Sequence, residues 1–195
     1  MKNTLLALSM AVALTGLFTQ CQSSGNNQQP AEQTALIPIP QTVTYAETAF
    51  KLSRILLESS STELLSIADY FNHKVNPALG YSLEVKEQGD IQFSLINNPD
   101  LGNEGYHLKV EKRQISIEAN QPAGIFYGVQ TLLQMLPKEI RSQQVQHDVE
   151  WVIAGADITD KPQFPWRGLM LDVSRHWFTK EEVMRFIDEL AEYKM

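Results

Sequence analysis

Apolar residues recur along this chain with two periods, and each change of period marks a new element. From Ser60 to Asn72 the spacing is helical, with Leu64, Leu65, Ala68 and Phe71 on one face. Ser60 with Glu63 three residues later forms a capping box. Alternation follows. Tyr81, Leu83 and Val85 make one set, and Ile91, Phe93 and Leu95 a second. Tyr106, Leu108 and Val110, then Ile115 and Ile117, make a third that folds back around Lys112-Arg113. Every second residue points the same way, so each strand has one buried and one wet face. The helical period returns in Ile125, Phe126, Val129, Leu132, Leu133 and Leu136, opened by Pro122 and stopped by Pro137. Ahead of these elements, the prolines of Leu36-Ile37-Pro38-Ile39-Pro40-Gln41 favour an extended, edge-like stretch. Residues 36–150 therefore read as a small α+β domain, an antiparallel sheet with helices on one face. Gly124 and Gly128, four apart in the second helix, predict close packing on the sheet, not a membrane dimer motif.

The pattern changes again near Asp157. Pro162 and Pro165 mark a linker, and Trp166-Arg167-Gly168 leads into Leu169-Met170-Leu171-Asp172-Val173. Such a near-continuous apolar run suits a parallel strand buried on both faces. Thr179 and Glu182 make a second capping box, and Val183, Phe186, Ile187, Leu190 and Ala191 line one side of the helix it opens. A parallel strand needs parallel neighbours, and a crossover helix leads to another strand. Residues 151–195 are thus expected to be a linker and the first βα unit of a larger α/β barrel or sheet, with the rest lying beyond Met195. A complete (β/α)8 barrel takes about 250 residues, more than the 195 here.

The N-terminus carries a different message. Lys2 precedes a mostly apolar stretch from Leu5 to Leu14, extended by Gly16, Leu17 and Phe18. That is short of the roughly 20 residues of a membrane span and suits an export signal. Cys21 follows at once, then the polar run Gln22-Ser23-Ser24-Gly25-Asn26-Asn27-Gln28-Gln29-Pro30. Residues 1–21 resemble a bacterial lipoprotein signal, although Phe18 and Gln20 stand where that signal has leucine and a small residue. Cys21 is then the expected lipidation site and 22–35 a flexible tether. The implied location is the periplasm, outer membrane or cell surface of a bacterium, with the membrane met only through the lipid. Being the single cysteine, Cys21 leaves no internal disulfide and no Cys-based zinc cage. The net charge of −7 argues against a nucleic-acid surface. No Gly-rich phosphate loop is present.

If the last segment opens a barrel, its functional residues lie at the C-terminal end of the strand. Asp172, Arg175 and His176 fall there. A guanidinium offers a planar fork of donors that can clamp vicinal hydroxyls or a carboxylate. On local evidence Arg175 can equally be a structural partner of Asp172. His176 can be a hydrogen-bonded wall residue or a general base. Trp166 and Trp177 can stack on a sugar face or pack at a rim. Arg167 precedes the strand, near the barrel bottom, where a structural role is favoured. Asp188-Glu189 reads as a solvated helix face, and Glu181-Glu182 as helix-start chemistry.

Trp166-Arg167-Gly168-Leu169-Met170-Leu171-Asp172-Val173-Ser174-Arg175-His176-Trp177-Phe178 resembles the first-strand motif of glycoside hydrolase family 20, the β-N-acetylhexosaminidases. Glu104 to Ile117, Gly124 to Gln134 and Leu36 to Pro40 resemble the family's small N-terminal domain. The resemblance covers about residues 36–195. It implies a (β/α)8 catalytic barrel that begins here. It implies hydrolysis of terminal β-linked N-acetylglucosamine or N-acetylgalactosamine, with the substrate's own acetamide as nucleophile. Arg175 is implied to bind hydroxyls of the terminal sugar, with Asp172 and His176 in support. Neither metal nor organic cofactor is implied. The family's catalytic Asp-Glu pair belongs to a later strand, so none of the residues here is catalytic and the 195-residue chain is expected to be inactive alone. The competing reading is a non-catalytic glycan-binding or surface-anchoring lipoprotein domain.

Overall fold

The computed structural model describes residues 35–52, 56–59, 62–86 and 89–195. Cys21 with the signal assigned to residues 1–21, the tether assigned to 22–35 except its last residue, and the cap residue Ser60 lie outside the described residues. The strands are β1 (Thr42–Lys51), β2 (Leu56–Ser59), β3 (Glu84–Lys86), β4 (Ile91–Leu95), β5 (Tyr106–Val110), β6 (Ile115–Ala119) and β7 (Val152–Asp160), of which β3 to β6 fall on the alternating segments. The helical segments form α1 (Thr62–Leu79), α2 (Pro122–Met135) and α3 (Lys180–Glu192). The strands make one sheet in the order β1-β7-β5-β6-β4-β2-β3.

Helices α1 and α2 cover one face of the sheet, as the periodicity requires. Leu108, Val110, Ile115, Ile117, Ile91 and Phe93 point into that layer and meet Leu64, Phe71, Ile125 and Leu132 of the helices, all buried. Between them His107, Lys109, Ser116 and Glu118 take the opposite, wetter face. α1 runs past Asn72 to Leu79, because Val75, Ala78 and Leu79 continue its buried stripe. The Asn72 side chain meanwhile bonds both Leu83 N–H and Leu83 C=O, at 2.7 and 2.8 Å.

Two expectations change. The sheet is mixed, with antiparallel pairing across β1, β7, β5 and β6 and parallel pairing across β6, β4, β2 and β3. The reason is α1, which carries the chain back between β2 and β3 so that the two strands run the same way. The boundary placed at residue 150 also moves. β7 sits between β1 and β5, so the small domain runs to about residue 160. Its inward residues Ile153, Ala156 and Ile158 are buried, but Ala154 and Gly155 break the alternation, and both partner strands are distant in sequence.

Close packing explains the paired glycines of α2. A Cβ on Gly124 would overlap the carbonyl oxygen of Gly105 and lie 2.7 Å from Ala119 Cβ. One on Gly128 would overlap a methyl of Ile117 and lie 3.3 Å from the Tyr106 ring.

Candidate functional site

The three predicted site residues sit on the chain that leaves the sheet after β7. The strand expected over Leu169–Val173 does not form; these residues run as irregular chain, since among the described residues no parallel neighbour lies beside them. Leu169, Met170 and Val173 stay exposed, Met170 at 93 % and Val173 at 55 %. Trp166 and Trp177 are exposed too. α3 begins at the predicted capping box, with Thr179 N–H donating to Glu182 at 2.7 Å and Glu182 N–H to Thr179 Oγ1 at 3.2 Å. None of its residues is buried, so the apolar side from Val183 to Ala191 faces no partner strand. Asp188 and Glu189 are exposed, as a solvated face should be.

Asp172 and Arg175 come together. Oδ1 of Asp172 accepts the backbone N–H groups of Ser174 and Arg175 at 2.9 and 3.1 Å. Its Oδ2 lies 3.3 Å from Arg175 Nε, with the Arg175 side chain 86 % exposed. The carboxylate therefore holds the turn, and the guanidinium is free on its solvent side. His176 is exposed beside them.

The ends of this segment are tied to the small domain by polar side chains that the sequence patterns did not single out, Arg167 excepted. Arg167 donates to Glu104 at 2.9 Å, to the Tyr127 hydroxyl at 3.1 Å and to the Phe164 carbonyl at 2.7 Å. Its guanidinium also lies 5.6 Å from the Tyr127 ring centroid. At the other end Lys194 bonds Asp160 and the Tyr106 hydroxyl, at 3.1 and 2.9 Å. Tyr106 lies 2.6 Å from Thr131 Oγ1, and burial with the Asp160 carboxylate pushes its hydroxyl far above the usual tyrosine range. Glu192 pairs with Arg141 at 3.3 Å and Lys74 at 3.7 Å. Burial draws the Lys194 ammonium below the ordinary lysine range, and the attraction of Asp160 opposes this without cancelling it.

The Glu104–Arg167 pair makes a pH prediction. The hydrogen bond from Arg167 holds the Glu104 carboxyl below its ordinary value of 4.5. A lowered carboxyl stabilises the paired state fully above its free pKa, and that contribution goes as pH falls through the lowered one. The Glu104 side-chain carboxyl carbon resonance in an NMR titration is therefore flat between about pH 5 and 8 and moves only in acid. A midpoint near neutrality would contradict this.

Comparison with known proteins places these features. The model described as "Glycosyl hydrolase family 20, domain 2" matches residues 33–161, and "Glycosyl hydrolase family 20, catalytic domain" matches residues 164–195. A β-hexosaminidase of Porphyromonas gingivalis is 34 % identical over 82 % of this chain. The solved N-acetyl-β-hexosaminidase of Streptomyces plicatus, bound to Thio-NAglucal, is 38 % identical over 82 % of this chain with a TM-score of 0.77. The GH20 exo-β-N-acetylglucosaminidase of Vibrio harveyi, solved with N-acetylglucosamine, is 28 % identical over 85 % of this chain with a TM-score of 0.72. This chain covers 21 %, 32 % and 25 % of those three proteins, between a fifth and a third of their length. Both parts of the chain, the mixed-sheet domain and the short segment after it, thus belong to glycosyl hydrolase family 20.

Proposed function

We propose that this chain is the opening part of a β-N-acetylhexosaminidase that removes terminal β-linked N-acetylglucosamine or N-acetylgalactosamine from glycans. The observation that carries the reading is the match of residues 164–195 to the family's catalytic domain, the stretch that holds Asp172, Arg175 and His176. The bound N-acetylglucosamine in the Vibrio harveyi relative supports the sugar class.

In this reading Arg175 exchanges its exposed pairing with Asp172 for two hydroxyls of the terminal sugar, which its planar fork can reach together. Asp172 keeps the turn through the N–H groups of Ser174 and Arg175, and His176 supports the pocket wall. The acetamide oxygen of the sugar attacks its own anomeric carbon, and the glycosidic bond breaks as a general acid protonates the leaving oxygen. An Asp that orients the acetamide and a Glu that serves as the acid lie outside these 195 residues. The reaction calls for no metal or organic cofactor. Export and lipid attachment at Cys21 complete the proposal; the intact mass of the membrane-extracted protein checks it, and an unmodified Cys21 contradicts it.

A protein that carries the whole catalytic domain is expected to release nitrophenol from 4-nitrophenyl N-acetyl-β-glucosaminide and to leave the corresponding glucoside, which lacks the acetamide, almost untouched. The 195-residue chain alone is expected to turn over neither. Equal hydrolysis of both substrates, or turnover by the short chain, would overturn the reading.

A further inference from the structure

Lys194 follows α3 in a left-handed conformation, with φ of 61°. Glycine is the residue that position favours after a helix end. The lysine side chain is nevertheless only 9 % exposed, and it reaches back into the small domain. Its ammonium donates to Tyr106 of β5 and Asp160 of β7 and lies 5.0 Å from the Tyr106 ring centroid. Its backbone carbonyl accepts from Arg167 Nε at 2.9 Å, and Arg167 is itself held by Glu104 and Tyr127 of the small domain. One residue thus joins two clamps. The chain from Arg167 to Lys194 becomes a closed loop with its base on the small domain and with Asp172, Arg175 and His176 in its span.

We infer that Lys194 is a latch that fastens the opening segment of the catalytic domain to the small domain, and that its side chain, not the geometry of the helix end, keeps the last turn of α3 docked beside the more exposed pairs of Glu192 with Lys74 and Arg141. The two clamps act together, because Arg167 bonds the backbone of the residue whose side chain closes the second one. A buried ammonium with a carboxylate and a hydroxyl as partners has no substitute among uncharged side chains: removal leaves the half-buried Asp160 carboxylate without its cation. This inference concerns docking alone and stands apart from the substrate proposed above; loss of glycosidase activity would not touch it.

Amide hydrogen exchange on the 195-residue chain tests it, with the amides of β5 and β6 as an internal record of the small-domain fold. Lys194→Gly suits the backbone better, so a helix end without a latch would gain protection in α3. The latch predicts the reverse, with α3 amides exchanging on the order of tenfold faster while β5 and β6 are unchanged. Lys194→Met, which keeps the apolar stem, gives the same loss. Arg167→Met removes the bonds to the Lys194 carbonyl, Glu104 and Tyr127 at once, opens the other clamp and also loosens α3, and in combination with Lys194→Met the losses do not multiply. Protection gained or unchanged in Lys194→Gly, losses that multiply in the double variant, or β5 and β6 loosening along with α3 would each overturn the inference.

Discussion

Replacing Arg175 with alanine, in a protein that carries the whole catalytic domain, lowers kcat/KM for an N-acetyl-β-glucosaminide by about 10²- to 10⁴-fold. The size follows from the chemistry of the fork. A hydrogen bond from a charged donor contributes about 1.5–3 kcal/mol, and two of them to one sugar amount to about 3–6 kcal/mol, at 1.4 kcal/mol for each tenfold. Sugar hydroxyls are held both before and during the reaction, so KM rises together with any fall in kcat. Arg175→Lys recovers only part of the loss, because an ammonium is a point charge that cannot span two hydroxyls in one plane. Thermal stability stays level, since the Arg175 side chain is 86 % exposed and its pairing with Asp172 faces water. Steady-state kinetics with a melting curve checks both halves, and unchanged kinetics would remove Arg175 from the site.

The largest effect on stability belongs to Gly124→Ala. Helix propensity alone predicts a gain of nearly 1 kcal/mol from such a change inside a helix. Packing predicts the opposite. The new methyl meets the carbonyl oxygen of Gly105, a backbone atom that cannot rotate away, and sits 2.7 Å from Ala119 Cβ. α2 must lift from the sheet, and overpacking of this kind costs about 1–3 kcal/mol. Packing should win, with a lower urea midpoint at an unchanged slope. A raised midpoint would show that the start of α2 is not pressed against the sheet.

The same contrast between local and distant information separates what could be read from the sequence and what could not. β5, β6 and α2 follow from spacing because each buries one clean face, with Leu108, Ile117 and Ile125 as examples. β1 escaped notice because it is an edge strand with few buried residues, and β7 because Ala154 and Gly155 interrupt its alternation. The Asp172–Arg175 pairing was legible because the two are three residues apart and share a turn. The strand around them was legible as a pattern but is not formed, because a parallel strand exists only with its neighbours. The links from Glu104 to Arg167 and from Asp160 to Lys194 were not legible at all. Their partners lie on different elements, and a charged residue carries no sign in the sequence of what it will meet.

Whether Arg175 holds the terminal sugar is decided by a crystal structure of a protein with the whole catalytic domain, bound to N-acetylglucosamine. The guanidinium nitrogens of Arg175 are expected within about 2.7–3.2 Å of two sugar hydroxyls, with Asp172 still accepting from Ser174 and Arg175 N–H. A sugar bound elsewhere, with the Arg175 guanidinium still paired only to Asp172, would contradict it.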